Sequence, residues 1–199
     1  MASEYSTDLQ KIGAPVQTKF EDFAAETGRK LKLEVEPGTF LVANAGALVS
    51  RVQDKTATSA HTFLKLDAGM TEVLRPSLYG AQHPLVIVPQ EKGRQGKTAS
   101  YVVVGHCCES GDLLTPAPGE ADTIAERVLN EAEIGDLCVV EGSGAYCAGM
   151  STKNYNSFPE AAEVMHGVDG GLHLIRKRQS LDQVLQNEVD LPGSVISKA

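Results

Sequence analysis

The 199-residue sequence predicts a mainly β chain that begins with a single helix–strand unit. From about Ala47 onward, short runs of β-type residues follow one another, and most are separated by glycine, proline or polar turns. The helix–strand pattern of the first 36 residues is not repeated later. Several short strands of this kind favour an antiparallel sandwich or barrel.

The first element is an amphipathic helix predicted over Pro15–Thr27. Val16, Phe20 and Phe23 fall on one helical face, with charged residues elsewhere. Pro15 suits a first helical position and Gly28 is placed to end the helix. The next residues, Leu31–Glu36, alternate strictly between apolar and charged, which predicts a strand ending at the following Pro-Gly turn.

The strands predicted downstream are short and regularly interrupted. In order they are Ala47–Asp54, Thr62–Asp67, Leu85–Pro89, Tyr101–Gly105, Asp136–Glu141, Ala161–His166 and Leu172–Arg178. The polar link Gln90–Ser100 is predicted to be a mobile hairpin loop. A closing helix is predicted over Ser180–Val189, with Ser180 as its N-cap.

Composition excludes several classes of function. A net charge of −8 argues against a nucleic-acid partner, and no apolar run is long enough to suggest a membrane span. The N-terminus has no secretory pattern, so free thiols in the cytoplasm are expected. None of the four cysteines forms a Cys-x-x-Cys pair, and the five histidines lack metal-ligand spacing, so we expect no metal site.

Two stretches carry side chains suited to binding an amino acid. Arg75 offers a planar fork for a carboxylate, and Tyr79 falls on the same face of a short helix. In Gly105–Asp112, a thiol and a carboxylate lie side by side at Cys108 and Glu109, and can move a proton and bind an ammonium group respectively. The simpler interpretations remain open: a surface arginine with a half-buried tyrosine, and two buried thiols before a polar turn.

Two loops are candidates for contact with a cofactor. Glu36-Pro37-Gly38 lies where the first predicted strand ends, the end at which parallel α/β folds bind ligands. Glycine-rich Gly142-Ser143-Gly144 precedes Tyr146, and amides in such a loop can face a phosphate. An ordinary turn after an edge strand and a hairpin turn with a packed tyrosine are the alternatives.

Together these stretches resemble diaminopimelate decarboxylase, a pyridoxal-phosphate enzyme of the alanine-racemase-like fold type. The resemblance covers about residues 8–186 and is carried by four motifs in the family's order. They are Glu36-Pro37-Gly38, Asp67–Met70 continuing through Arg75–Tyr79, Cys108-Glu109-Ser110-Gly111-Asp112, and Gly144-Ala145-Tyr146. The Cys-Glu-Ser-Gly-Asp motif is highly specific to this group.

The resemblance implies a role for each matched residue. Cys108 would be the general acid that protonates the α-carbon, and Glu109 would bind the distal end of the substrate. Arg75 and Tyr79 would hold a substrate carboxylate, while Tyr146 would contact both substrate and cofactor. The residues facing pyridoxal 5'-phosphate would be Glu36, Pro37, Gly38, Thr39 and Tyr146.

The resemblance also implies that the cofactor site is incomplete in this chain. Residues 1–45 would be the last helix and strand of a (β/α)8 barrel, and residues 46–199 most of the C-terminal β domain. The family's Schiff-base lysine, its ring-stacking histidine and its phosphate loop precede the matched region. Thr39 stands where the family commonly has arginine.

The expected function is decarboxylation of meso-2,6-diaminopimelate to L-lysine in lysine biosynthesis, by a homodimer or larger assembly in which this portion alone is inactive. A non-catalytic dimerisation or binding module of the same fold is one alternative, although retention of the whole residue set argues against it. A decarboxylase acting on another basic amino acid is the other alternative.

Overall fold

The computed structural model describes residues 8–91, 94 and 96–192. These residues divide into two compact units with a boundary between Pro37 and Gly38. The first unit contains helix α1 (Leu9–Thr27). The second contains the short helices α2 (Arg75–Tyr79) and α3 (Leu181–Val184) and all the described strands. The strands are β1 (Leu48–Ala57), β2 (Thr62–Leu66), β3 (Leu85–Val88), β4 (Thr98–Val104), β5 (Pro116–Ala117), β6 (Glu120–Ile124), β7 (Arg127–Asn130), β8 (Leu137–Val140), β9 (Glu163–His166) and β10 (Leu172–Arg176).

Helix α1 is longer than predicted, because its N-cap is Asp8 and not a residue next to Pro15. The Asp8 carboxylate accepts the backbone N–H groups of Gln10 and Lys11 at 3.0 and 3.1 Å, which satisfies two of the donors that a helix start leaves open. Pro15 therefore lies inside the helix, and the prediction that it starts the helix is wrong. The end at Gly28, with φ of 68°, is as predicted.

The predicted strand over Leu31–Glu36 is not a strand in the structure. A strand is stable only when a neighbour pairs its backbone groups, and the described part of the first unit contains no other strand. The apolar side chains of Leu31, Leu33 and Val35 are 49%, 55% and 77% exposed. The alternating pattern indicates which side chains would share a face, but it cannot supply the pairing partner.

A six-stranded sheet forms the centre of the second unit, in the order β3-β8-β1-β2-β4-β7. Its neighbours are antiparallel except for β2 and β4, which are parallel. The edge strands β3 and β7 contact each other, so the sheet is nearly closed like a barrel. Its buried core consists of Val52, Leu64, Leu66, Ile87, Tyr101, Val103, Leu114, Leu129, Ala132, Cys138 and Val140. The prediction of a mainly β chain with a barrel-like sheet is confirmed.

The strands predicted downstream of residue 46 are all present, with ends shifted by a few residues. Three strands were not predicted, namely β5, β6 and β7. Strands β5 and β6 form a separate two-stranded hairpin, and most residues of β6 are exposed, so they show little apolar alternation. Helix α3 has the predicted Ser180 cap, with Gln183 completing a capping box, but it ends at Val184.

The loop between β3 and β4 is tied to the sheet at Arg94. Part of the hairpin loop predicted over Gln90–Ser100 lies outside the described residues, and β4 already begins at Thr98, so its predicted mobility stays a prediction. Arg94 forms an ion pair with Asp136, which is 2% exposed. Asp136 also accepts the backbone N–H groups of Gln90 and Glu133 at 3.0 and 2.7 Å. Burial acts to raise the pKa of Asp136, but the hydrogen bonds from Arg94 and the two amides outweigh it and lower that pKa.

Replacing Asp136 by asparagine should lower the free energy of unfolding at pH 7 by about 1–3 kcal/mol, because a buried arginine–carboxylate contact is lost. A carboxylate with a lowered folded pKa stabilises the protein above its unfolded pKa of about 3.9, and that contribution is lost as pH falls through the folded pKa. The difference in the free energy of unfolding between the parent and Asp136→Asn should therefore shrink below about pH 4. Urea denaturation at several pH values measures it. Asp122→Asn, on the exposed side of β6, is the control. A difference that stayed constant down to pH 2 would contradict this role of Asp136.

Candidate active site

Helix α2 and the loop after β8 bring an arginine between two phenol rings. Arg75 and Tyr79 share one face of α2, as predicted, and the Arg75 Cζ atom lies 5.8 Å from the centre of the Tyr79 ring. The same atom lies 6.0 Å from the centre of the Tyr146 ring. These three residues are called the arginine–phenol group below. Both tyrosines are about half exposed, at 54% and 50%. The group therefore presents a cation and two hydroxyls to a ligand.

Helix α2 is fixed in place by the glycine that ends it. Gly80 has φ of 62°, and a Cβ atom there would lie 2.3 Å from the backbone nitrogen of Glu120. A side chain would therefore be excluded both by the backbone conformation and by the β5–β6 turn. Gln82 adds a second tie, because its side-chain amide donates to the carbonyls of Gly80 and Pro116 at 2.9 and 3.1 Å.

The glycines before Tyr146 serve backbone packing. A Cβ atom on Gly144 would lie 1.9 Å from the carbonyl oxygen of Val42, and one on Gly46 would lie 2.6 Å from the Gly144 Cα atom. The amides of Ser143 and Gly144 donate to the carbonyls of Gly46 and Ala43, each at 2.9 Å. These two amides are therefore used within the protein and do not face a phosphate, as amides in such a loop can. The tight loop instead holds Tyr146, whose φ is 55°.

The Gly38 end of the first predicted cofactor motif lies beside the Tyr146 phenol. Gly38 has φ of 56°, and a Cβ atom built on it would be 3.4 Å from the Tyr146 hydroxyl. Gly38 and Thr39 belong to a 3-10 turn of the second unit. Glu36 and Pro37 belong to the first unit, and both are exposed. A side chain at position 38 would therefore contact the phenol, and glycine leaves that side of the Tyr146 hydroxyl uncovered.

Cys108 and Glu109 lie on an exposed loop that follows β4, and are called the thiol–carboxylate pair below. The Glu109 carboxylate accepts the N–H of Gly111 at 2.9 Å and the hydroxyl of Ser110 at 3.3 Å. The Gly111 amide is the main cause of a lowered pKa for Glu109. Glu109 is therefore ionised at neutral pH and suited to bind a cation.

The aspartate that ends this motif shapes the loop. Asp112 is 3% exposed, and its carboxylate accepts the N–H groups of Cys107 and Met70 at 2.9 and 2.7 Å. A Cβ atom on Gly69 or Gly105 would lie 2.4 or 2.1 Å from that carboxylate. Sequence reasoning assigned Asp112 no role of its own, although a short acidic side chain directly after a glycine was a usable signal for a buried loop anchor.

Cys108 is the one exposed thiol among the four cysteines, all of which lie in the described part of the chain. Burial, with the nearby Asp112 carboxylate, raises the pKa of Cys107 to about 12. Burial also raises the pKa of Cys138 to about 12 and that of Cys147 in the same direction. The simpler interpretation of two buried thiols therefore does not describe Cys108.

The described residues keep the arginine–phenol group and the thiol–carboxylate pair apart. Within residues 8–91, 94 and 96–192, no hydrogen bond, ion pair or ring contact joins Cys108 or Glu109 to that group. The contacts of Glu109 and Cys108 are instead with Tyr155 and Asn156, which sequence reasoning missed. The same ranges contain no cluster of three or more histidine, cysteine or acidic side chains able to hold a metal ion.

A protein-family model identifies the chain. The model described as the C-terminal sheet domain of pyridoxal-dependent decarboxylases matches residues 23–144. The chain belongs to this family. The match includes β1 through β8, and therefore Arg75, Tyr79 and the loop carrying the thiol–carboxylate pair. Tyr146 lies two residues beyond its end. The part of this decarboxylase domain that the structure describes has no helix with the length and apolar character needed to cross a bilayer.

Two curated relatives of this chain are named diaminopimelate decarboxylase. A diaminopimelate decarboxylase of Buchnera aphidicola subsp. Baizongia pistaciae is 39% identical over 81% of this chain and 38% of its own length. That of Escherichia coli strain K12 is 38% identical over 85% of this chain and 40% of its own length. The chain thus spans about two fifths of the length of these relatives.

Solved structures of the same family share the fold. A crystal structure of diaminopimelate decarboxylase matches 94% of this chain and 44% of its own, with a TM-score of 0.82 and 34% identity. The Helicobacter pylori enzyme complexed with L-lysine matches 93% of this chain and 41% of its own, with a TM-score of 0.72 and 29% identity. The resemblance to diaminopimelate decarboxylase stated from the motifs is confirmed.

Proposed function

We propose that this chain is the substrate-facing C-terminal part of a diaminopimelate decarboxylase, which forms L-lysine and carbon dioxide from meso-2,6-diaminopimelate. The observation that carries the proposal is the pairing of an exposed thiol with an ionised carboxylate at Cys108 and Glu109. The arginine–phenol group adds a separate site for a carboxylate. The names of relatives 38–39% identical to the chain support the choice of substrate.

The residues present fit one side of pyridoxal 5'-phosphate. Gly38 places no side chain against the Tyr146 phenol, which is 50% exposed and offers a hydroxyl to the cofactor, and Thr39 follows in the same turn. We propose that Tyr146, Gly38 and Thr39 hold the cofactor together with Glu36 and Pro37. When bound, pyridoxal 5'-phosphate withdraws electrons from the α-carbon as carbon dioxide leaves. A threonine hydroxyl at position 39 cannot make the bidentate contact of the arginine common in the family.

Arg75 and Tyr79 would bind a substrate carboxylate. The Arg75 guanidinium has no ion-pair partner among the described residues, so its planar fork is available for two parallel hydrogen bonds. Tyr79 lies next to it on the same helical face and would add a hydroxyl donor. Because α2 is held by Gly80 and Gln82, this carboxylate site would be formed before the substrate arrives.

Glu109 would bind the ammonium group at the distal end of the substrate, and Cys108 would protonate the α-carbon. Within the described chain, the thiol–carboxylate pair does not contact the arginine–phenol group. This supports a homodimer in which the thiol–carboxylate pair completes the partner subunit's site. Free cysteines agree with a proposed cytoplasmic location, where thiols stay reduced.

The domain proposal is that residues 1–45 belong to a cofactor-binding barrel and residues 46–199 to the β domain. The boundary between compact units, at Pro37 and Gly38, falls earlier than this division. The 3-10 turn at Gly38 packs with the β domain, because Gly38 lies beside Tyr146. Under the proposal, the same turn contributes to the cofactor site of the barrel.

The test is to restore activity from two parts. Titrating the isolated chain with pyridoxal phosphate and then reducing it with borohydride should give no single stoichiometric adduct, because we place the reactive lysine upstream. Adding the barrel half of the Escherichia coli relative should give one adduct on that half and formation of L-lysine from diaminopimelate. Absence of L-lysine from a stable two-part complex would refute the proposed function. One stoichiometric adduct on a lysine of this chain would refute its assignment as a part without the lysine.

A further inference from the structure

The segment from Asn154 to Phe158 has an unusual backbone. Asn154, Asn156 and Ser157 have φ of 60°, 50° and 64°, in the left-handed region that residues other than glycine rarely adopt. Asparagine tolerates this region better than most residues, but three such positions within four residues are unfavourable. Backbone strain of this kind persists only where the surrounding contacts impose it, and it concentrates at functional sites.

The segment contacts both members of the thiol–carboxylate pair. The side-chain oxygen of Asn156 accepts the backbone N–H of Cys108 at 2.8 Å. The hydroxyl of Tyr155 donates to the Glu109 carboxylate at 3.4 Å. Burial and then the charge of Glu109 raise the pKa of Tyr155, so the phenol keeps the proton that it donates. Each contact joins residues far apart in the sequence, so neither arises from local turn geometry.

Both ends of the segment are anchored. The ring of Phe158 stacks on the ring of His106 with centroids 3.6 Å apart and an interplanar angle of 9°. His106 in turn is hydrogen bonded to the Thr71 hydroxyl at 2.7 Å. At the other end, the Asn154 side-chain amide donates to Gln179 at 2.5 Å. The segment therefore forms a rigid support next to the exposed loop.

The contact with Cys108 does not compensate a buried group. Cys108 and Asn156 are both exposed, so water could accept this N–H equally well. What the Asn156 side chain adds is a fixed position for the Cys108 backbone, and therefore for the direction of the thiol. Similarly, the Gly111 amide holds one Glu109 oxygen and the Tyr155 hydroxyl holds the other.

We infer that Asn156 and Tyr155 are positioning residues for the reaction, with Asn156 directing the Cys108 thiol and Tyr155 orienting the Glu109 carboxylate toward the substrate. The inference rests on the proposed function, since it assigns proton transfer to Cys108 and substrate binding to Glu109. It predicts different kinetic effects for the two residues. Loss of Asn156 should act on turnover, and loss of the Tyr155 hydroxyl should act on substrate affinity.

The kinetic test uses the enzyme reconstituted from this chain and the barrel half. Asn156→Ala should lower kcat by about tenfold or more with KM within about twofold, because a slightly misplaced catalytic group is costly to the rate. Asn156→Asp keeps an acceptor oxygen and the tolerance for a left-handed backbone, so it should recover most of the lost kcat. Tyr155→Phe should raise KM by about three- to tenfold with little change in kcat. Asn187→Ala, in an exposed turn far along the chain, is the matched control.

A second measurement on the chain alone does not depend on activity. Hydrogen exchange of the Cys108 amide should be at least about tenfold faster in Asn156→Ala than in the parent and near the parent rate in Asn156→Asp. An unchanged exchange rate would refute the contact. Faster exchange with unchanged kcat would refute the positioning role and leave a merely structural bond. If the reconstituted parent makes no L-lysine, the proposed function is refuted, and exchange still decides whether Asn156 holds Cys108.

Discussion

Replacing Cys108 by alanine should lower the kcat of the reconstituted decarboxylase by about 10²–10⁴-fold, the usual contribution of a positioned acid. KM should change little, because Arg75, Tyr79 and Glu109 are proposed to bind the substrate. Cys108 is suited to this step since its side chain is exposed at the loop surface, and its backbone is held by Asn156 at 2.8 Å. Steady-state formation of L-lysine measures the effect.

The neighbouring thiol provides a matched control. Cys107→Ala removes a sulfur one residue away, but burial and Asp112 raise the pKa of Cys107 to about 12, and its backbone N–H still reaches the Asp112 carboxylate. We expect Cys107→Ala to stay within a few-fold of the parent. A Cys108→Ala enzyme with kcat within a few-fold of the parent would show that Cys108 is not the acid and that another group delivers the proton.

Replacing Asp112 by alanine should lower the free energy of unfolding by about 2–6 kcal/mol, because the amides of Cys107 and Met70 lose the buried carboxylate that accepts them and each loss costs about 1–3 kcal/mol. The thiol–carboxylate pair should also lose its fixed geometry, so activity should fall with stability. Urea denaturation of the chain measures the first effect.

Asp122→Ala is the control for that measurement, since Asp122 is exposed on β6 and should change stability by no more than about 0.5 kcal/mol. Asp112→Asn is informative as well, because it retains one acceptor oxygen and should recover part of the stability. If Asp112→Ala cost less than about 1 kcal/mol, the carboxylate could not be the anchor of this loop.

The sequence was sufficient for elements whose pattern reflects burial within the same unit. Strands β1, β2 and β4 were predicted because alternating or apolar runs such as Tyr101–Val104 face the barrel core. Strand β6 was missed because it lies outside the six-stranded sheet and buries little. Leu31–Glu36 was mispredicted for the opposite reason, since its pattern is strong but the described part of its unit offers no strand to pair with.

The site residues could be predicted where their chemistry and their spacing are visible within one short stretch of sequence. Arg75 and Tyr79 share a helical face at a spacing that the sequence alone reveals. Asn156 and Tyr155 were not found because their importance comes from contacts with residues far away in sequence. The cluster Asn154-Tyr155-Asn156 did contain a signal, since two asparagines in a turn favour left-handed backbone, but it gives no indication of which loop they face.

The order of strands in the sheet has a consequence for synthesis of the chain. Strand β1 lies between β2 and β8 in the sheet. Strand β2 follows β1 closely in the sequence, but β8 is distant: the Ser50 hydroxyl on β1 donates to the carbonyl of Cys138, 88 residues later. At a translation rate of about 5–20 residues per second, roughly 4–18 s pass before that partner is made. During this interval the β1 edge is unpaired on the ribosome. Slower translation between Thr62 and Val140 would lengthen this exposure, so yield of the folded domain should depend on the speed of that stretch and on chaperones that cover an open strand edge.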